Sequence, residues 1–417
     1  MIIIGAVYIH RWSDYGYVPT NSSLGLSDSL LIMLFISAVV GVAFSLAWFA
    51  ILNRYAGKVI AISMFTHAAL WFGGAAAAFV FGVNVAGVIF LLFGLFVLLY
   101  FYCVRSRIPF SEQMIKSSNQ GISHFYGLFF TTAASALLSA AYIVFWCYAV
   151  NAVISIMYID TYKDDPNADE PSTNAGLTWF GFILSLYWTV ETIANINVTT
   201  VAGAIGTWWY NTAAEFGTVS ALRRASTYSL GSIALGSFIV AFLQTLQYML
   251  RMATKDSNSL MAACLLCLVQ LIEGLVRYFN KYAYVQIALY GKDFVSAASD
   301  TFDLFAAKGF DMLINDDLTE IAVSFGALIG GVVNAIAVGL PFYELIKDDV
   351  AKYGDNTFIV FMLCFIIGYS TSMLLLAQIT AAVATTFVIW AEDPDAMQRT
   401  RPEEYAAISE ARTKFYQ

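Results

Sequence analysis

Residues 187–210 read YWTVETIANINVTTVAGAIGTWWY, a stretch that is long enough to cross a bilayer as a single helix. It nevertheless contains the carboxylate of Glu191 and the amides of Asn195 and Asn197, and it ends in two tryptophans and a tyrosine. Whether these polar groups lie in lipid depends on the class of protein to which the whole chain belongs.

The composition of the chain is that of a membrane protein. Of its 417 residues, 59% are hydrophobic and 12% are charged, whereas soluble domains contain about 25% charged residues. The mean hydropathy is +0.71. The 21 Lys and Arg residues are scattered between apolar runs instead of forming a basic patch, so we expect no nucleic-acid partner.

Apolar runs of sufficient length recur along the chain. A helix rises about 1.5 Å per residue and the hydrocarbon core is about 30 Å thick, so one crossing needs about 20 residues. Because the backbone in lipid must satisfy its own hydrogen bonds, helices are favoured, and we predict an all-α, polytopic membrane helix bundle. Nine runs meet the requirement: 29–52, 57–81, 83–104, 122–157, 176–210, 226–250, 259–282, 318–345 and 356–391.

These runs divide the chain into three predicted parts. Residues 1–27, which open with MIIIGAVYIH, are interpreted as the remnant of a first helix and a short outer loop. Residues 28–392 form the transmembrane domain, and residues 393–417 form a cytoplasmic C-terminal tail. In 283–317, apolar residues recur at spacings of three and four, which predicts amphipathic helices at the cytoplasmic interface or re-entering the bundle. Residues 105–118 are interpreted as a basic loop.

The orientation follows from the charges of the predicted loops. Most Lys and Arg residues lie on the side that also holds the C-terminus, so the positive-inside rule places the C-terminus in the cytoplasm. The glycosylation sequon at Asn21 then lies outside, which agrees with this orientation.

Several long motifs resemble one known family. They are IANINVTTVAGAIGTWWY, ALRRASTYSLGSIALGSFIVAFLQ, RYFNKYAYVQIALYGKDFVSAASDTFDLFAAKGFDMLINDDL, FYCVRSRIPFSEQMI and ATTFVIWAEDPDAMQRTRPEEY. From about residue 28 to about residue 408, the chain resembles the choline-transporter-like family, solute carrier family 44, and most of all its fungal, pH-nine-sensitive branch. The resemblance implies ten helices with both termini cytoplasmic. It also implies transport of choline, or in some members ethanolamine, across plasma or organelle membranes. Relative to that pattern the first helix is truncated or missing here.

Three polar residues of the opening stretch share one helix face. A charge near the bilayer centre costs about 2.5–3.5 kcal/mol on insertion scales, so such residues face the bundle interior or a water-filled path. Glu191, Asn195 and Thr199 follow one another at intervals of four residues and therefore lie on one face. We expect this face to line a substrate pathway in which Glu191 attracts a cation or carries a coupling proton. The alternative is a structural hydrogen bond to a neighbouring helix.

Glu273 is the second carboxylate within an apolar run. Arg277 follows it at the spacing of a helical ion pair, so a self-neutralising pair is the simpler interpretation. The other interpretation is that Glu273 has a role in a gate or a proton path.

Aromatic residues lie near both carboxylates. A quaternary ammonium donates no strong hydrogen bond and is recognised by aromatic faces. The candidates for substrate contact are Tyr187, Trp188, Tyr278 and Tyr282. The closing Trp208, Trp209 and Tyr210 are more typical of an aromatic belt at the membrane interface.

The sequence therefore predicts a membrane transporter of a small organic cation, choline first and ethanolamine second, by facilitated or proton-coupled transport. The alternative is a non-transporting membrane scaffold or regulator. The sequence contains no P-loop, no HExxH and no CDP-alcohol phosphotransferase pattern, so we expect neither an enzyme nor a cofactor or metal site. The expected partners are the cationic substrate and the bilayer. The expected location is the plasma membrane, with an organelle membrane as the alternative, and the oligomeric state stays open.

Overall fold

The computed structural model describes residues 28–164, 175–210, 217–255, 260–343 and 357–413. Within these ranges the regular secondary structure is entirely helical, which confirms the predicted all-α class. The proposed helix remnant at 1–27, with the sequon at Asn21, lies outside the described residues.

The described residues form a series of α-helices, and one 3₁₀ turn, Arg105–Arg107, joins the second helix to the third. In chain order the helices are α1 (Asp28–Val80), α2 (Asn84–Val104), α3 (Ile108–His124), α4 (Gly127–Asp164), α5 (Ala175–Trp209), α6 (Gly217–Ser226), α7 (Leu230–Lys255), α8 (Leu260–Tyr290), α9 (Phe294–Ala337), α10 (Thr357–Glu392), α11 (Pro394–Thr400) and α12 (Pro402–Thr413).

Eight helical stretches in the described ranges are long and apolar enough to cross a membrane. The first of them, Ile32–Val80, has 49 residues, and its backbone leaves helical geometry at Tyr55 (φ −131°, ψ 25°). Since about 20 residues suffice for one crossing, this stretch contains both the first and the second predicted run. Each of the other predicted runs lies mainly within one of the remaining stretches, so the polytopic architecture agrees with the hydropathy.

One expectation about connecting segments is wrong. Residues 105–118 are not a loop but the 3₁₀ turn and most of α3, and α3 has a proline in its first turn and a largely buried face. Residues 283–317 are helical, as predicted, and the buried positions Phe294, Ala297, Thr301 and Leu304 recur at spacings of three and four, which agrees with an amphipathic segment. They complete α8 and begin α9, and the chain turns at Gly291, whose φ of +68° suits a residue without a side chain.

The start of α9 is set by the carboxylate of Asp293. It accepts hydrogen bonds from the backbone N–H of Val295 at 3.0 Å, the backbone N–H of Ser296 at 3.1 Å and the hydroxyl of Ser296 at 2.6 Å. These bonds satisfy backbone donors that have no partner inside the helix. They also hold the pKa of Asp293 below its ordinary value, with the bond from the Ser296 hydroxyl contributing most.

The chain forms two compact units. Unit 1 contains residues 130–200 and 220–301, and unit 2 contains residues 28–129, 201–219 and 302–413, within the described ranges. In unit 1, α7 packs against α8. In unit 2, α1 packs against α2, α3 and α10, while α12 packs against α3.

Close packing in unit 1 depends on Gly236 of α7. A Cβ atom added there would lie 2.4 Å from Cε2 of Phe294 and 2.7 Å from the hydroxyl oxygen of Tyr284. Both of these rings belong to the buried cluster of unit 1. The carbonyl of Gly236 also accepts a hydrogen bond of 2.9 Å from Nδ2 of Asn280, so the backbones of α7 and α8 approach each other at this point.

We predict that Gly236→Ala lowers the stability of the protein by roughly 1–3 kcal/mol, because the methyl group fits only if Phe294 moves. The matched control is Gly231→Ala in the same helix, where an added Cβ meets nothing within 4 Å. Melting temperatures of the purified, detergent-solubilised variants would show the difference. Equal melting temperatures for the two variants would contradict the packing role of Gly236.

In unit 2 the C-terminal helices are held by the backbone at the end of α5. The Thr400 hydroxyl donates to the carbonyl of Trp209 at 2.6 Å, and Nε of Arg401 donates to the carbonyl of Trp208 at 2.9 Å. The Arg401 guanidinium lies 3.8 Å from the centre of the Trp208 ring, and burial lowers the pKa of Arg401. These contacts occupy carbonyl groups that would otherwise lack partners at the helix end.

The expected interfacial belt at the end of α5 is therefore wrong for its two tryptophans. Trp208 is 5% exposed and Trp209 is 0% exposed, and Nε1 of Trp209 donates to the Thr386 hydroxyl at 3.1 Å. The rings are buried because α10 and the C-terminal helices cover them within unit 2, a tertiary contact that their spacing in the sequence does not reveal.

We expect Arg401→Gln to destabilise the C-terminal helices by roughly 1–3 kcal/mol, since it removes a charged hydrogen bond and a cation–π contact. Arg399→Gln, at an exposed position two residues earlier, removes the same charge and serves as the control. The rate of chymotryptic cleavage in α12 would report the effect. If both variants are cleaved at the same rate, Arg401 does not anchor these helices.

Candidate functional site

Two carboxylates that lie within membrane-crossing stretches, Glu191 and Glu273, come together in unit 1. Glu191 lies close to the middle of the membrane-crossing part of α5, and Glu273 close to the middle of that of α8. Nη2 of Arg277 lies 2.8 Å from Oε1 of Glu191 and 2.9 Å from Oε1 of Glu273. A single guanidinium is thus shared by carboxylates from two different helices.

The pair between Glu273 and Arg277 is the helical ion pair that their spacing predicts, and the structure confirms it with a further bond of 3.0 Å from Nε of Arg277. The contact between Arg277 and Glu191 was not predicted. It requires α5 and α8 to pack side by side, which the separation of the two residues along the sequence does not show.

The charges of this cluster do not cancel. Two carboxylates and one guanidinium leave a net charge of −1 when all three groups are ionised. The side chains of Glu191 and Glu273 are 15% and 18% exposed, whereas that of Arg277 is 48% exposed. The carboxylates are therefore mostly covered, and the guanidinium is the more accessible member of the group.

A third helix reaches the cluster through Gln244 of α7. Its amide nitrogen lies 3.4 Å from Oε1 of Glu191, a long hydrogen bond. Its amide oxygen is buried and has no hydrogen-bond partner among the described residues. Glu191 is thus contacted from α7 and α8, and an acceptor group of Gln244 stays available next to it.

Asn195 lies one turn further along α5 and connects the same helices. Its amide nitrogen donates to the Ser237 hydroxyl at 3.0 Å and to the Tyr284 hydroxyl at 3.3 Å. The hydroxyl of Thr199, whose residue is 3% exposed, donates to the carbonyl of Asn195 at 2.8 Å within α5 itself. The predicted polar face does point toward neighbouring helices. The pathway role of this face, including that of Glu191, stays a prediction.

Asn197 lies on a different face of α5, as its position in the sequence implies. Its amide nitrogen donates to the hydroxyl of Thr132 in α4 at 3.1 Å. The two amides of the opening stretch therefore hold α5 to different neighbours, which accounts for their presence in an apolar segment.

The aromatic candidates near Glu191 contact α7. The indole N–H of Trp188 donates to the carbonyl of Ala234 at 2.9 Å, and its ring meets that of Phe238 edge-on at 5.3 Å between centroids. Trp188 is still 41% exposed, and Tyr187 before it is half-buried. Part of Trp188 is thus exposed, three residues before Glu191 in α5.

The aromatic candidates on α8 already face a cation of the chain. The rings of Tyr278 and Tyr282 lie 5.5 Å apart, and Nζ of Lys281 lies 5.4 Å and 5.5 Å from their centroids. Tyr282 is 0% exposed. This pair is therefore arranged for a positive charge, which in the described structure is supplied by the neighbouring lysine.

Sequence reasoning missed the polar residues of α7. Ser237 and Gln244 are seven residues apart, so they lie on one face of α7, and this periodicity is the signal that could have revealed them.

Comparison with known proteins identifies the family. Residues 88–395 match the family model described as plasma-membrane choline transporter, and this range contains all three charged residues of the cluster. The chain belongs to the choline transporter-like family. The resemblance seen in the sequence motifs is thereby confirmed, and the expectation that the chain is not an enzyme agrees with membership of a family of transporters.

Individual relatives extend this assignment. The chain is similar to Protein PNS1 of Gibberella zeae, with 34% identity over 77% of this chain and 61% of that protein. It is similar to Protein PNS1 of Kluyveromyces lactis, with 28% identity over 98% of this chain and 78% of the relative. A CTL-like protein of Dictyostelium discoideum shares 26% identity over 96% of this chain and 70% of its own. The chain thus spans less than two thirds of the Gibberella zeae protein.

We predict that Arg277→Gln destabilises this choline transporter-like protein strongly, because it leaves two covered carboxylates without a counter-charge. Breaking one side of a buried pair costs roughly 3–5 kcal/mol, and the cost here is smaller because Arg277 is half exposed. The triple variant Glu191→Gln/Glu273→Gln/Arg277→Gln removes all three charges and should recover most of the loss. The yield of monodisperse protein and its melting temperature would measure both effects. A triple variant no more stable than Arg277→Gln alone would contradict this account of the cluster.

Proposed function

We propose that this chain transports a small organic cation across a membrane, with choline as the leading candidate and ethanolamine as the second. The proposal rests on its family and on one observation above all. Two mid-membrane carboxylates share a single guanidinium, so the cluster keeps a net negative charge that can attract a cation.

The chemistry of the surroundings favours a quaternary or primary ammonium that carries a hydroxyl group. The negative charge of Glu191 and Glu273 attracts the cation over several ångströms, and the partly exposed Trp188 provides a cation–π contact. The free amide oxygen of Gln244 can accept a hydrogen bond from the substrate hydroxyl. Choline and ethanolamine both carry that combination of groups.

Competition for the carboxylates provides a mechanism. A cation that enters beside Glu191 competes with Arg277 for the same oxygen atom, so binding weakens the contact between α5 and α8. Release of the cation restores the ion pair. Such an exchange couples occupancy of the site to helix packing, as alternating access requires. In proton-coupled transport, Glu191 or Glu273 takes up a proton, and this proton replaces the ion pair of that carboxylate with Arg277.

We further propose the plasma membrane as the location, with the C-terminus in the cytoplasm. The excess of Lys and Arg on the C-terminal side supports this orientation, and the family description supports the compartment.

A non-transporting scaffold is the second candidate, and one observation favours it. All three charged groups of the cluster pair with one another, and Asn195 is engaged in packing contacts, so the structure accounts for these residues without a substrate. A scaffold requires only that these polar side chains hold neighbouring helices together, which their contacts already do.

The deciding experiment is uptake of radiolabelled choline into proteoliposomes that contain the purified full chain, with and without an inward-negative potential. We expect saturable uptake that increases with the potential. Glu191→Gln should reduce it by roughly tenfold or more, which corresponds to the loss of one charged contact. The matched control, Glu403→Gln, neutralises an exposed carboxylate in α12 and should transport like the parent protein.

The other outcomes are equally informative. Folded protein without uptake above empty liposomes would reject choline transport and favour the scaffold. Saturable uptake that Glu191→Gln leaves unchanged would remove Glu191 from the transport pathway.

A further inference from the structure

Unit 2 contains a pocket of about 360 Å³ between α9, α10 and α12. Two of its lining residues are cationic and none is acidic. The polar and aromatic groups that face it are Lys308, Trp390, Tyr405, Ser409, Arg412 and Thr413. The pocket therefore combines two positive charges with several hydroxyl groups.

The two cations are held over one ring. Nζ of Lys308 lies 6.0 Å from the centroid of the Trp390 indole, and Cζ of Arg412 lies 4.8 Å from it. The ring is fixed, because Trp390 is 7% exposed and packs against Phe110 and Phe387 at 5.3 Å and 5.6 Å between centroids. Two cations from different helices thus border one pocket, and an anion bound in it would be attracted by both.

The pocket lies at the level of the membrane boundary. Lys308 precedes the membrane-crossing stretch Asp311–Tyr343, and Trp390 is near the end of the stretch Phe358–Glu392. Phosphate groups of lipids occupy this level, and soluble anions reach it from the aqueous side.

A smaller cavity adjoins the same two residues, Trp390 and Arg412. Its volume of about 20 Å³ is enough for a group of roughly the size of one water molecule. Asn315, which borders it, is 1% exposed, and neither atom of its side-chain amide has a hydrogen-bond partner among the described residues. The same holds for the fully buried hydroxyl of Ser111. Buried polar groups are normally paired, so this cavity fits a small polar group of a ligand.

We propose that the pocket binds the phosphate group of an organic phosphate ester, with Lys308 and Arg412 as the charged donors. The hydroxyl groups of α12 complete the hydrogen bonds to the phosphate oxygens, and Asn315 receives a polar group of the esterified alcohol. This site belongs to unit 2 and does not depend on the proposed transport function. The ester has two possible sources that share this chemistry, a glycerophospholipid headgroup and a soluble phosphate ester.

Three probes separate the phosphate from the acyl chains. Dioctanoyl phosphatidic acid carries both, dioctanoylglycerol lacks the phosphate, and glycerol 3-phosphate lacks the chains. Their binding to the purified full chain in detergent would be measured by native mass spectrometry and by the shift in melting temperature. We expect the two phosphate-bearing probes to bind and dioctanoylglycerol not to bind. Tighter binding of phosphatidic acid identifies a lipid, and tighter binding of glycerol 3-phosphate identifies a soluble ester.

The variants test which residues are responsible. Lys308→Gln and Arg412→Gln should each weaken binding of the preferred probe by roughly tenfold or more, as expected for loss of one charge-assisted contact. The control is Arg399→Gln, which removes an exposed charge of α11 outside the pocket and should change binding by less than about twofold. The melting temperature without ligand shows whether each variant is folded. If Arg412→Gln is not folded, Lys308→Gln alone is sufficient to test the site.

The proposal is overturned by any of three results. Dioctanoylglycerol could bind as well as phosphatidic acid, which would show an apolar contact. Folded Lys308→Gln could bind like the parent protein. Arg399→Gln could weaken binding as much as Lys308→Gln, which would show diffuse attraction to a basic surface.

Discussion

A charged side chain in the middle of a bilayer must find its counter-charge inside the protein, and this constraint shapes unit 1. Glu191 and Glu273 come from different helices, and each alone would be costly in lipid. Arg277 offsets both with ion pairs of 2.8 Å and 2.9 Å, so α5 and α8 are held in one register. One turn away, the amide of Asn195 meets hydroxyl groups from α7 and α8 and supports the same packing. Polar contacts thus determine how these apolar helices fit together, since lipid provides no hydrophobic force between them.

The cluster of Glu191, Glu273 and Arg277 carries a net charge of −1 when all three groups are ionised. This negative charge connects the structure with the proposed function. A purely structural arrangement could use one carboxylate and one arginine, as the helical spacing of Glu273 and Arg277 already provides. The carboxylate of Glu191 adds a second ion pair to this arrangement, and the amide oxygen of Gln244 beside it has no hydrogen-bond partner among the described residues. Under the proposed function, a cation that binds Glu191 competes with Arg277, whose side chain is 48% exposed.

In unit 2 the main constraint is a different one, the unpaired carbonyl groups at the end of a long apolar helix. The last carbonyl groups of α5 accept hydrogen bonds from Thr400 and Arg401, so the C-terminal helices serve as a cap for a helix far away in the sequence. The same helices form one wall of the pocket beside Trp390. A segment that follows the last membrane-crossing helix of the described residues therefore has a structural role and borders the proposed phosphate pocket.

The sequence determined the class of the protein by itself, because hydropathy and length are local properties and the backbone in lipid has few alternatives to a helix. It also gave the family, through long motifs, and the ion pair of Glu273 with Arg277, whose spacing lies within one helix. It failed at the segment 105–118, where burial by neighbouring helices makes an expected loop part of a packed helix. Only the tertiary structure decided that Arg277 also pairs with Glu191, that Asn195 is held by α7 and α8, and that Trp208 is covered rather than interfacial. These contacts join residues from separate helices, and no periodicity along one chain reveals which helix faces will meet.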